Sequence, residues 1–204
     1  MKPHTSLFGI ALVVAAVLAG TLVWKSTATP ALAAASVGQP LPAFELSDVG
    51  GTKHSLAQYK GRITVIEFSN INCPYSQGTD PQLIALAAAY AEKGVVVLSI
   101  DSNAPNSTDQ IKKYADEKGK NFPILKDEGA KYADTVAAKV TPEVFVVDKE
   151  GVLAYHGAFD NRTQPDKKGD VAYVENAVKA LLEGKAVEPK EVKAWGCGIK
   201  RAPK

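Results

Sequence analysis

Cys73 and Cys197 are the two side chains in this sequence best suited to act as nucleophiles. Cys73 lies in Glu67-Phe-Ser-Asn-Ile-Asn-Cys-Pro-Tyr-Ser76, just after the β-branched run Arg62 to Phe68 and just before Pro74. A cysteine at a strand-to-helix junction faces free backbone N–H groups and the positive end of the helix dipole. Both favour the thiolate and can lower a cysteine pKa from about 8.5 into a range of about 3.5–7.5. Pro74 suits the first helical turn, where no N–H is needed. The plainer alternative for Cys73 is a small buried hydrophobe. Glu67 interrupts an apolar strand; if desolvated, its pKa rises and it can move protons near neutral pH. At a strand end it would instead reach solvent, or pair with Arg62 or a lysine.

Cys197, flanked by Gly196 and Gly198, leaves three arrangements open. It could resolve a mixed disulfide or sulfenic acid on Cys73. It could form a permanent staple worth roughly 2–4 kcal/mol. It could also lie too far away, since bonding needs Cα atoms within about 7 Å. The histidines carry less: His4 is in the leader, His54 in a polar turn, and His156 at a strand end beside Gly157. Ser76 and Gln77 are poor soft ligands, so neither a metal nor any other cofactor is expected. Asp160-Asn161-Arg162 either lines the site or forms a solvated turn.

The elements that must position these residues follow from periodicity. Phe44 to Leu46 and Gly50-Gly51 suggest a hairpin. Arg62 to Phe68 and Val95 to Ile100 read as buried strands. Pro81 to Lys93 is Ala- and Leu-rich and helical, stopped by Gly94; Asp109 to Lys118 is a polar-faced helix. Phe122 to Leu125 and Ala130 to Ala138 give a short strand and helix. Val144 to Val147 and Val152 to Tyr155 flank the Asp148-Lys-Glu-Gly151 turn. Val171 to Leu182 is the last helix. Strands alternating with helices and closing on a hairpin imply an α/β domain: a central mixed sheet flanked by helices, with an N-terminal hairpin and a C-terminal tail.

Of 204 residues, 24 are basic and 22 acidic. The excess is Lys2 and Lys25, both within the first 33 residues, where there is no Asp or Glu. The remaining body is neutral, which argues against a nucleic-acid surface. A short basic start, the uncharged run Leu7 to Trp24 and Ala31-Leu-Ala33 read as a signal peptide over residues 1–33. At 18 residues the run is also near the length of a membrane anchor, the only membrane contact expected. Either way the body is exported, to the periplasm on this reading, where disulfides persist. The division expected is leader 1–33, domain 37–184 and tail 185–204.

Cys73-Pro-Tyr-Ser76 resembles the thioredoxin-fold active-site turn with its second cysteine replaced by Ser76. Pro81 matches the proline of the active-site helix, and Thr141-Pro142 the cis-proline loop that faces the nucleophile. Gly38 to Leu46, Glu67 to Asn70, Cys73 to Tyr75, Val146 to Asp148 and Gly196 to Lys200 resemble redoxin-domain proteins of the alkyl hydroperoxide reductase/thiol-specific antioxidant group. That resemblance spans Val37 to Arg201. It implies a thioredoxin-like fold and thiol redox activity, with Glu67 as the buried acid beneath the site and Cys197 in place of the thiol lost at Ser76. Asn70, Pro74, Tyr75, Ser76, Thr141 and Pro142 would line the substrate groove. The partners implied are a disulfide-bearing protein or a peroxide, and an external thiol reductase. Peroxiredoxins carry Pro-x-x-x-Thr/Ser-x-x-Cys, and here those positions hold Ile66 and Asn70, a departure that disfavours dedicated peroxide activation. Ser69 offers a hydroxyl one position away. A one-cysteine peroxidase, or a binding or assembly module with a structural Cys73–Cys197 bond, are the alternatives.

Overall fold

An apolar β-branched run can be buried on both faces only at the centre of a sheet. Ile63–Ser69 (β3) is in that place: it pairs in parallel with Val95–Asp101 (β4) and antiparallel with Glu143–Val147 (β7). The computed structural model describes Met1 and residues 34–203; the leader and its Ala31-Leu-Ala33 exit lie outside them. Among the described residues no helix is long and apolar enough to cross a membrane.

The other strands are β1 (Glu45–Asp48), β2 (Lys53–Ser55), β5 (Ile124–Lys126), β6 (Val140–Thr141), β8 (Leu153–Gly157), β9 (Glu191–Val192) and β10 (Cys197–Gly198). Eight form one mixed sheet in the order β2-β1-β5-β4-β3-β7-β8-β9, and β10 pairs separately with β6. The α-helices are α1 (Pro74–Tyr90), α2 (Thr108–Lys118), α3 (Lys131–Val136) and α4 (Tyr173–Leu182).

Period-two alternation assigns the faces. Ile63 and Val65 of β3 pack with Leu83 and Leu86 of α1 and with Val174 and Val178 of α4. Ile66 and Phe68 point the other way, towards Phe44, Tyr132 of α3 and Phe145. Glu67 shares the parity of Ile63 and Val65, so the strand pattern alone delivers its carboxylate to the α1 side. Ser99, opposite Glu67 in β4, follows the same rule.

Two boundaries depart from the sequence reading. The apolar pattern marked a helix only from Pro81, whereas the active-site helix begins at Pro74, where the strand–Cys–Pro junction puts its first turn, and runs through Pro81 as one element. The apolar pattern hid its first two turns because polar residues there face a buried polar layer. The tail, which shows no periodicity, supplies β9 and β10. Two-residue strands are too short for an alternation signal, but their backbone contacts are tight. A Cβ on Gly157 would lie 1.7 Å from Val192 O, and one on Gly196, at φ 149°, 2.1 Å from Thr141 O.

Candidate active site

Cys73 caps α1 in an extended conformation, and its carbonyl accepts the Gln77 N–H at 3.0 Å. The α1 N-terminus therefore opens onto its sulfur. Thr141-Pro142, in cis, faces it from β6, and the Cys73 thiol lies 3.1 Å from Thr141 O. Along the edge of β6 runs β10, with Cys197 paired to Thr141. Both cysteines are free, and Cys197 lies near enough to Cys73 for each to shift the other's ionisation.

The two thiols differ sharply. Burial alone raises the pKa of Cys73, whose residue is 0% exposed. Hydrogen bonding around its sulfur, from Cys197 and Ser76 first and then Thr141, outweighs burial and holds it below the ordinary thiol value. Cys197 is pushed up to about 11, by burial first and then by Cys73 beside it. The pair is thus arranged as thiolate and thiol, nucleophile and donor.

Beneath them Glu67 is 0% exposed, held at Oε1 by the Thr79 hydroxyl (3.1 Å) and at Oε2 by Ser99 Oγ (3.2 Å). Burial raises its pKa to about 7, with nearby Lys120 opposing and Asp80 adding to the shift. The strand-end alternative, with Arg62 or solvent as partner, does not occur. Asp80 forms a buried ion pair with Lys120 at 2.5 Å and accepts the Tyr114 hydroxyl at 2.6 Å. Ser69 is bound to Ser99 Oγ at 2.6 Å, within this same layer.

The other groove candidates separate into two sets. Pro74 is exposed, and Tyr75 meets Trp195 of the tail edge-on, ring centroids 4.9 Å apart. Ser76 and Asn70 are buried; the Ser76 hydroxyl accepts the Asn70 N–H at 3.3 Å. The Asn70 side chain binds Asn72, Asn103 and Asn106, tying the Cys73 loop to the segment after β4. Asp160 and Arg162 form a buried pair (2.8 Å), not a solvated turn. Arg162 Nη1 holds Pro165 O (3.2 Å), and that carbonyl presses on α1 where a Cβ at Gly78 would lie 1.8 Å away. His156 binds Glu143 at 2.7 Å and stacks on Phe145. Among the described residues no three His, Cys, Asp or Glu side chains gather as metal ligands.

Sequence reasoning missed Thr79, Ser99, the Asp80–Lys120–Tyr114 group and Trp195. Ser99 had a signal, as the one polar residue within Val95 to Ile100. Lys120 had none, because its partner is forty residues earlier.

The thiol-disulfide oxidoreductase ResA of Geobacillus thermodenitrificans is 29% identical over 118 residues, 58% of this chain and 67% of that protein. This chain therefore spans about two thirds of that curated relative. The crystal structure of an uncharacterized conserved protein from Geobacillus kaustophilus superposes with TM-score 0.77 at 33% identity, covering 83% of this chain and 94% of that one. A putative thiol:disulfide interchange protein DsbE from Chlorobium tepidum shares the fold at TM-score 0.62 and 21% identity, covering 73% and 99%. The architecture is thioredoxin-like, as expected. The family model of AhpC/TSA matches residues 37–156, the stretch that carries Glu67, Cys73 and the cis-proline loop, and the chain belongs to the AhpC/TSA family.

Proposed function

We propose that this protein is an exported thiol-disulfide oxidoreductase in which Cys73 is the nucleophile and Cys197 the resolving thiol. The observation that carries this reading is that Thr141 brings Cys73, at the α1 N-terminus, together with Cys197 of β10, one sulfur favouring the thiolate and the other retaining its proton. The Cys73 thiolate attacks a substrate disulfide; one substrate sulfur bonds to Cys73 and the other leaves and takes a proton. Cys197 then gives up its proton and attacks the Cys73 sulfur. That forms the Cys73–Cys197 bond and expels the second substrate thiol, so the substrate gains two electrons and the enzyme loses two. An external dithiol restores the enzyme by the reverse exchange. Glu67, ionising near pH 7 in the layer below, takes up and returns the proton of the exchanging thiols.

A disulfide substrate is favoured over a peroxide because the peroxidase hydroxyl position holds Asn70, whose buried side chain is bound to Asn72, Asn103 and Asn106. The relatives named as thiol-disulfide oxidoreductases agree with this choice, and export rests on the leader. The test is reduction of a protein disulfide, with products read by mass spectrometry. Cys73→Ser is expected to abolish turnover while keeping the fold, and Cys197→Ser to stop after one exchange with substrate trapped on Cys73. Undiminished multiple turnover by Cys197→Ser, with no trapped species, would overturn the resolving role.

A further inference from the structure

The proposed nucleophile has no exposed surface, so no substrate disulfide can reach it unless something moves. The cover is identifiable. From Gly196 to Ile199 the tail runs along the edge of β6, and Cys197 and Gly198 pair antiparallel with Thr141 and Val140. The Thr141 hydroxyl donates to Cys197 O at 3.3 Å, and the Ile199 N–H donates to Lys139 O at 3.0 Å. Gly196 passes so near Thr141 O that only glycine fits, and Trp195 closes over Tyr75.

The strap is fastened at both ends. Upstream, β9 lies against β8. Downstream, Ile199 is buried, the Lys200 N–H binds Asn103 Oδ1 at 2.9 Å, the Ala104 N–H binds Lys200 O at 2.8 Å, and Arg201 pairs with Asp134. An extended strand bearing a cysteine, a glycine before it and an aromatic ring two residues before it is therefore what this edge accommodates.

We infer that the segment 193–201 is a built-in strap over Cys73, which must leave the edge of β6 before any substrate reaches the sulfur. The inference rests on Cys73 being the reactive thiol and adds what must leave before a substrate binds. Resolution by Cys197 returns the strap to the edge and ejects the product.

The test uses the full chain carrying Cys197→Ser, so that Cys73 is the one thiol, and follows its alkylation by iodoacetamide. Trp195→Ala with Arg201→Ala removes an aromatic contact and an exposed ion pair, and is expected to raise the rate roughly tenfold. Asp134→Ala cuts the same ion pair from α3 and should raise the rate in the same direction, guarding against a folding artefact in the tail. A synthetic peptide of residues 193–201 carrying serine at position 197, added in trans, should return the loosened variant towards the slow rate. An unchanged alkylation rate in both loosened variants, with circular dichroism intact, overturns the strap; so does a peptide without protective effect. Alkylation requires only an accessible sulfur. Failure of the oxidoreductase reading would appear separately, as faster alkylation and peptide protection without turnover of any protein disulfide.

Discussion

At the scale of single residues, the site contrasts charges that are compensated with one that is not. Asp80 and Lys120 neutralise each other in the interior, whereas Glu67 has two hydroxyl donors and, among the described residues, no ion-pair partner. Burial therefore lifts its pKa from 4.5 in the unfolded chain to about 7 in the fold. A carboxyl whose folded pKa is raised binds its proton more tightly in the native state, so its contribution to stability falls as pH rises from 4.5 to about 7. Glu67→Gln has no such loss. Relative to this variant, the wild-type protein is expected to lose up to about 3 kcal/mol between pH 4 and pH 8, measured by urea unfolding. A difference that stays flat across this range would contradict the buried, unpaired carboxyl. Lys120 and Asp80 act on Glu67 with opposite sign. Lys120→Met should move the Glu67 titration up, and Asp80→Asn down, each by about a unit or more. The pH profile of Cys73 alkylation in a Cys197→Ser background reads both shifts, and a general loss of structure would not give them opposite directions.

Elements explain why some of the site was legible and some was not. The strand–Cys–Pro–helix junction is a local statement, so Cys73, the α1 N-terminus and the α/β alternation could all be read from the chain. Glu67 could be read as an anomaly in an apolar strand, but the side it faces needed the register of β3 against β4. The tail was opaque because its order comes from backbone contact and not from side-chain pattern. Gly157 and Gly196 are its signature, each marking a place where one main chain presses on another. The burial of Asn70 could not be read because a buried amide network joining residues 70, 72, 103 and 106 leaves no periodic trace. The element-scale prediction concerns β9. Gly157→Ala places a Cβ 1.7 Å from Val192 O and at a φ of 139°, which an L-residue rarely adopts. The upstream fastening of the strap should open, at a cost of about 1–3 kcal/mol. Hydrogen exchange should show faster exchange at the Ala158 N–H, which Val192 O accepts, while β3 and β4 stay protected. Unchanged protection at Ala158 would mean that β9 does not depend on this close approach.

Across the whole molecule, the two cysteines lie far apart in the sequence and beside the same Thr141 in the fold, so a bond between them closes a loop of about 125 residues. Closure of a loop that long removes much of the unfolded chain's freedom, worth about 3–5 kcal/mol when the native geometry is unstrained. Both cysteines already lie beside Thr141 in the reduced fold, so the oxidised protein should unfold at higher urea than the reduced one. That gap should vanish in Cys73→Ser and Cys197→Ser alike. Extra stability alone does not separate an exchanging pair from a staple, but the route of reduction does. The Cys73 side of the bond is sealed beneath the strap, so a dithiol can reach it by local release of residues 193–201 or by global unfolding. Local release exposes little surface, and its rate then depends weakly on denaturant; global unfolding carries the full denaturant dependence of the domain. For an exchanging pair, the reduction rate by a dithiol in the native state should remain nearly flat in low urea and rise when Trp195→Ala and Arg201→Ala loosen the strap. A rate that climbs with the slope of global unfolding, and ignores those substitutions, would identify the bond as a structural staple.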